Sequence, residues 1–317
     1  MKTATKLSAY GVALVLVAGG AWAVGSAVGP LDKPENAAAK SGGAGHGETH
    51  GGTVAETGHA AEALPPGLAS SRGGFTFAPV SSVLDVGPGT FSFRIAGPDG
   101  QPVTRFDVEH EKRMHLIVVR RDTAGFQHVH PEMSADGTWS VPLTLTQPGS
   151  YRAFADFAPT GGEATTLGVD LAVPGDFRPV RYAASRVARV DGYEVRLDGD
   201  LAPGRTAELT LTVTKDGVPV TDLQPYLGAF GHLVALRGGD LAYLHVHPDG
   251  APGDGKTAPG PTVTFFAEVP SAGAYRLFLD FRHGDVVRTA EFTLATEGHV
   301  LPSAPVEGHA DDGHGHN

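Results

Sequence analysis

A chain of 317 residues with 41% hydrophobic content has material for two packed domains plus tails. Its formal net charge of −11 argues against nucleic acid as a partner, because phosphates repel an acidic surface, and the lack of cysteine excludes disulfides, thiolate metal sites and a cysteine nucleophile. The 44 glycines and 24 prolines predict frequent turns and few long helices, and the 15 histidines set the question of what they hold.

In chain order, Lys2 and Lys6 precede an apolar stretch from Leu7 to Val28 that no charge interrupts. Residues 1–29 therefore read as an N-terminal transmembrane anchor or a signal peptide, with Ala21-Trp22-Ala23 as the cleavage candidate. Either way the lysines stay inside and the bulk of the chain is extracytoplasmic: single-pass in the membrane if the segment is kept, secreted if it is cut. Residues 30–72 read as a disordered His/Gly/Pro linker carrying His46, His50 and His59. The 297–317 tail has the same bias, with His309, His314 and His316 among glycine and aspartate. Such tracts bind transition metals weakly through their imidazoles.

Between the tails, short runs rich in Val, Phe, Tyr and Thr alternate with PDG, DTAG, ADG and PGS turns. This pattern predicts an all-β chain, built as two tandem antiparallel sandwiches over 73–175 and 176–296. The halves repeat each other. MHLIVVRRDTAGFQHVHP from Met114 is echoed by GHLVALRGGDLAYLHVHP from Gly231, and PGSYRAFADF from Pro148 by AGAYRLFLDF from Ala272. His115, His128 and His130 thereby match His232, His245 and His247, each offset by 117 residues. The second copy is longer in the Gly/Pro-rich stretch around Ala251–Pro261, where a surface loop is expected.

Residues i and i+2 of a strand share a face, so His128 and His130 point the same way. With Asp122–Gly125 as a four-residue turn, Arg121 pairs with Phe126, Val119 faces His128, Ile117 faces His130, and His115 lies diagonal to His130 on the same face. The same count with Gly239–Ala242 as the turn gathers His232, His245 and His247. Three converging imidazoles suit Cu(II) or Zn(II), so copper or zinc is the expected cofactor. Candidates for a further ligand, or for a partner that fixes a histidine tautomer, are Asp156, Asp280, His110, Met114 and His283. The competing reading is structural, because Ile117, Val119 and Phe126 share that face and can carry it into a core.

No Gly-x-Ser-x-Gly, His-Glu-x-x-His or phosphate-binding glycine loop occurs, and no enzymatic activity is expected. Glu132 follows HVHP too soon for the first cupin motif, and the zinc-loop histidines and disulfide of copper–zinc superoxide dismutase are missing. The module His115–Val119, Phe126–Pro131, Asp136-Gly137 and Pro148–Phe157 resembles repeated HxHP β modules of bacterial, actinobacterial-type exported proteins, similar to YtkA-like or cupredoxin-like Ig-fold domains. That resemblance, over roughly residues 75 to 295, implies Ig-like or cupredoxin-like sandwiches and metal handling outside the cytoplasm. A membrane metalloprotein would be the client, with the membrane as the other partner through the N-terminal segment. A cell-surface structural or interaction module with no metal role is the alternative.

Overall fold

The computed structural model describes residues 64–298. The anchor or signal segment, His46, His50 and His59 of the linker, and His309, His314 and His316 of the tail lie outside the described residues. Among the described residues, no helix is long and apolar enough to cross a membrane.

The expected all-β architecture of two tandem antiparallel sandwiches is present. The first repeat contains β1 (Ser71–Arg72), β2 (Phe75–Pro79), β3 (Gly87–Ala96), β4 (His115–Arg120), β5 (Gln127–Val129), β6 (Glu132–Met133), β7 (Trp139–Leu145), β8 (Gly149–Phe157) and β9 (Thr165–Val173). One sheet runs β1-β2-β3-β7-β6 and the facing sheet β5-β4-β8-β9. The second repeat contains β10 (Val187–Val190), β11 (Tyr193–Asp198), β12 (Arg205–Lys215), β13 (Val218–Pro219), β14 (His232–Arg237), β15 (Val246–Pro248), β16 (Thr262–Val269), β17 (Ala274–His283) and β18 (Val286–Ala295). Its sheets run β10-β11-β12-β16-β15, with β13 against β12, and β14-β17-β18. The Ala251–Pro261 surplus falls between β15 and β16, where the sequence places a loop.

Residue patterning explains how the four sheets are layered. In β7, Trp139, Val141, Leu143 and Leu145 are buried and alternate with wetter positions, as do Ala207, Leu209, Leu211 and Val213 of β12. Those sheets have one face in a core and one in water. In contrast, β4 (HLIVVR) is buried at every position, and β8 and β17 nearly so. Their inner faces, including Leu116 and Val118 in one repeat and Leu277 and Leu279 in the other, fill the two sandwich cores. Their outer faces meet each other. Ile117, Val119 and Phe154 of the first repeat join Val234, Leu236, Leu241 and Phe278 of the second in one buried cluster. The seam has an approximate twofold character. Phe126 stacks on Phe278 at 4.0 Å and 4°, and Tyr243, the counterpart of Phe126, lies 5.7 Å from Phe154, the counterpart of Phe278.

Two expectations about local structure are corrected. The β4–β5 register is shifted by two residues from the one that the Asp122–Gly125 turn implies: Ile117 faces His128 and Leu116 faces Val129. Arg120 N–H donates to the Ala124 carbonyl, Thr123 and Gly125 adopt positive φ, and the Arg120 guanidinium forks onto Asp122, which tightens the turn. A shift of two keeps every side chain on its predicted face, where a shift of one would have reversed them. The second correction concerns the linker, whose end is built into the fold. Gly67 N–H donates to the Thr166 carbonyl, Tyr243 N–H donates to the Pro66 carbonyl, and the Arg152 guanidinium donates to the carbonyls of Gly67 and Leu68. Charge-assisted bonds of this kind hold an otherwise irregular segment against β9 and the second repeat.

A Cβ placed on Gly168 would meet the Gly67 carbonyl oxygen at 2.0 Å, and a backbone atom cannot rotate away. Gly168→Ala should therefore displace the Pro66–Ala69 segment and destabilise the protein by about 1–3 kcal/mol, as overpacking does. Denaturant unfolding measures this, and an unchanged midpoint would show that the segment is not pinned.

Candidate metal centre

Where β4, β5 and β8 of the first repeat meet β17 of the second, the apolar seam gives way to imidazoles. His115, His128 and His130 each offer a ring nitrogen, and these atoms lie within 4.8 Å of one another. Ring centroids are 5.4 Å apart for His115 and His128, and 5.0 Å for His115–His130 and His128–His130. The first triplet thus converges as the strand count predicts.

Outer partners fix the tautomers. The Nε2–H of His115 donates to the Glu109 carbonyl at 3.1 Å, since a carbonyl can only accept. The Nδ1–H of His128 donates to Oδ2 of Asp280 at 2.8 Å, and Oδ1 of that carboxylate accepts from the Thr289 hydroxyl. Both members of the His128–Asp280 pair are almost wholly buried, at 3% and 4% side-chain exposure. Neutral His115 therefore presents a bare Nδ1, which lies 3.2 Å from His128 Nε2. Beside them the Nε2 of His130 is buried without a hydrogen-bond partner among the described residues. Two nitrogens held tetrahedrally by one ion at about 2.0–2.1 Å stand about 3.3 Å apart, so the spacing fits a shared cation.

Burial disfavours the protonated form of His115, His130 and His232. Loss of hydration pulls His115 down to about 4, against the Glu109 carbonyl and with help from neighbouring His128. Burial followed by the fields of His128 and His115 brings His130 to about 3. His232 also falls to about 3, again through burial first and His128 next. Neutral imidazole is the form that ligates metal.

The second triplet does not form a copy of the first. His232 leaves its own repeat's histidines and stands 5.9 Å from both His115 and His128, with its Nε2–H donating to the Leu227 carbonyl. His245 and His247 stay together, ring centroids 4.0 Å apart, on the far wall of a shared cleft. The cause is a strand that changes sheets early. In the second repeat only Tyr243 and Leu244 remain with β14, and Val246–Pro248 pairs with β16. In the first, the chain stays on β4 through Val129 before β6 crosses to β7.

The remaining candidates divide. His110 belongs to the site, 5.0 Å from His232 and 6.1 Å from His115. Asp156 lies opposite His115 in the β4–β8 register and lines the cleft, and burial raises its carboxyl against the hydrogen bond from Thr166. Asp280 lies opposite His232 in the same way, yet its carboxylate serves His128 of the other repeat. Met114 is packed in the first sandwich core rather than at the imidazoles. His283 is also elsewhere: it accepts from the Tyr193 hydroxyl at 2.6 Å and its Nε2–H donates to Asp222. Strand counting within one repeat had no means of pairing His128 with Asp280. It also missed Tyr226, whose ring lies 6.4 Å from His130 and whose phenol burial lifts to about 12, helped by Asp280.

No curated protein matches the chain. Solved structures similar to it include an alpha-2-macroglobulin from Salmonella, at 14% identity and a TM-score of 0.25, covering 73% of this chain and 15% of that one. Domains 5-6 of the S-layer protein SbsC are similar at 15% identity and a TM-score of 0.20, covering 70% and 97%. The bacterial integrin-binding protein invasin is similar at 17% and 0.21, covering 69% and 39%. A family match accounts for both sandwiches, at residues 75–175 and 188–298, and the chain belongs to the family described as Domain of unknown function (DUF8832).

Proposed function

We propose that this is an envelope-exposed protein that binds and handles copper or zinc, with the ion held by His115, His128 and His130. The observation that carries the reading is the convergence of one ring nitrogen from each of the three histidines within 4.8 Å of one another, with His115 Nδ1 and His128 Nε2 3.2 Å apart and the Nε2 of His130 buried without a partner. An ion there would meet a ring nitrogen from each of the three histidines at once. His232 is the nearest further imidazole, and Asp280 orients His128 as carboxylates commonly orient ligating histidines. The donors are all nitrogen, without sulfur, which favours Cu(II) or Zn(II) over Cu(I). Similarity of the HxHP module to YtkA-like or cupredoxin-like Ig-fold domains supports the same reading, as do the His-bearing tails as weak accessory binders. The apolar N-terminal stretch supports membrane attachment or export, and a membrane metalloprotein is the client class that would draw on such a carrier. The role is binding rather than turnover.

The test uses the full chain with its seven tail histidines (His46, His50, His59, His299, His309, His314, His316) changed to Ser, titrated with Cu(II) and Zn(II). His130→Ala should weaken the tightest site by at least about tenfold, the loss of one of three ligands. A parent protein that takes up neither ion at micromolar concentration would support the rival reading, a surface interaction module whose histidines only pack the seam.

A further inference from the structure

The cleft bordered by His115 and His128 has a second polar wall. Its volume is about 730 Å³, and it is also lined by His110, Asp156, His245 and His247. The approximate twofold relation of the repeats gives that wall a meaning. Asp280 of the second repeat accepts from Thr289 at Oδ1 and from His128 at Oδ2. Its counterpart Asp156 of the first repeat accepts from Thr166 at Oδ1 in the same way. The counterpart of His128 is His245, which lines the same cleft as Asp156. Here the symmetry breaks, because the early crossing of the chain to β16 leaves His245 and His247 exposed to solvent. Neither ring makes a hydrogen bond among the described residues, nor does His110, and the His245 and His247 rings stand 4.0 Å apart at right angles.

We propose that His245 and His247 of the second repeat, with Asp156 of the first, form a second and solvent-open site for a divalent ion of the Cu(II) or Zn(II) class. His110, beside His232, borders both sites. The cleft then holds two ions of the same class in unlike settings: an inner one among buried imidazoles, and an outer one on two exposed imidazoles and a carboxylate. Its two imidazoles are already at the surface and meet an ion from solvent without rearrangement of a core, so that site fills and empties faster. The inference rests on the metal reading of the inner triplet for its choice of ion, but not for its residues.

The experiment again uses the full chain with the seven tail histidines changed to Ser, titrated calorimetrically with Zn(II) and followed with Cu(II) by electron paramagnetic resonance. Two ions per chain are expected, with two distinct Cu(II) spectra. His245→Ser with His247→Ser should remove the weaker event and its spectrum while leaving the tighter one in place. Asp156→Asn should weaken only the outer event, by about tenfold. Conversely, His128→Ala with His130→Ala should abolish the tight event and spare the weak one. Retention of both events after His245 and His247 are replaced overturns the second site. So does loss of both, since the two histidines would then belong to a single shared centre. Failure of the inner triplet alone, with the outer event intact, would refute the proposed function and leave this inference standing. Both outer histidines are exposed, so their replacement empties no core, and an unchanged melting curve checks this.

Discussion

Replacing Phe278 with alanine is expected to destabilise the protein by about 3–5 kcal/mol and also to weaken metal binding at histidines that it does not touch. Phe278 is fully buried in the seam and stacks flat on Phe126 at 4.0 Å. Truncation removes the stack and leaves a cavity between two sheets that belong to different repeats. The link to metal is geometric. Asp280 follows Phe278 by two residues on β17 and so shares its face, and Asp280 holds the Nδ1–H of His128. Phe126 precedes His128 by the same two residues on the facing hairpin. Loosening the stack therefore loosens both ends of the His128–Asp280 bond. The control is Phe292→Ala. Phe292 is equally buried, but inside the second sandwich core, and its loss should cost similar stability with little change in affinity. Guanidinium unfolding gives the first quantity and Zn(II) titration the second. Equal affinities for the two variants would mean that the seam does not position the site.

Much of this was written in the sequence at the level of faces. The i, i+2 spacing of His128 and His130 and the parity of His115 put the three on one side of a sheet, and a two-residue error in the turn could not disturb that. The seam was also encoded, in a signal that reads differently once four layers are allowed. A strand such as His115–Arg120, apolar at consecutive positions, is a strand with two buried faces. One face belongs to its own sandwich. The same run in the second copy shows that each repeat supplies the other's cover. What could not be read was pairing across the seam. The 117-residue offset relates His128 to His245, and nothing in it says that His128 reaches Asp280 or that His232 joins the first triplet. Nor does composition reveal that HVHP crosses to the other sheet two residues earlier in one copy. The choice is made by how β15 pairs with β16, a long-range contact that local propensity does not determine.

Metal-free protein should lose stability on mild acidification, and saturating Zn(II) should add stability near neutral pH. The sign follows from proton counts. In the unfolded chain these histidines titrate near 6.5, whereas in the fold burial brings His115 to about 4 and both His130 and His232 to about 3. Between those limits the unfolded state binds more protons, so unfolding becomes easier as pH falls. The contribution is fully present above pH 6.5, declines below it, and for His115 is gone by about pH 4. At about 1.4 kcal/mol per unit, His115 alone accounts for on the order of 3 kcal/mol across that window. The folded protein has no low-energy place for these protons, because the outward nitrogens of His115 and His232 already donate to carbonyls and the inward ones face other imidazoles. An ion takes up those inward lone pairs in the folded state only. At one hundred times its dissociation constant it stabilises by about 2.7 kcal/mol. Urea midpoints at pH 7.5 and 5.0, with and without Zn(II), measure all four states. His232→Phe should shrink the acid loss in the metal-free protein, since it removes one of the proton acceptors that folding hides. If midpoints at the two pH values coincide without metal, the imidazoles are not desolvated by folding. If Zn(II) leaves the pH 7.5 midpoint unmoved while the acid loss persists, the cluster is a buried structural feature and not a site for the ion.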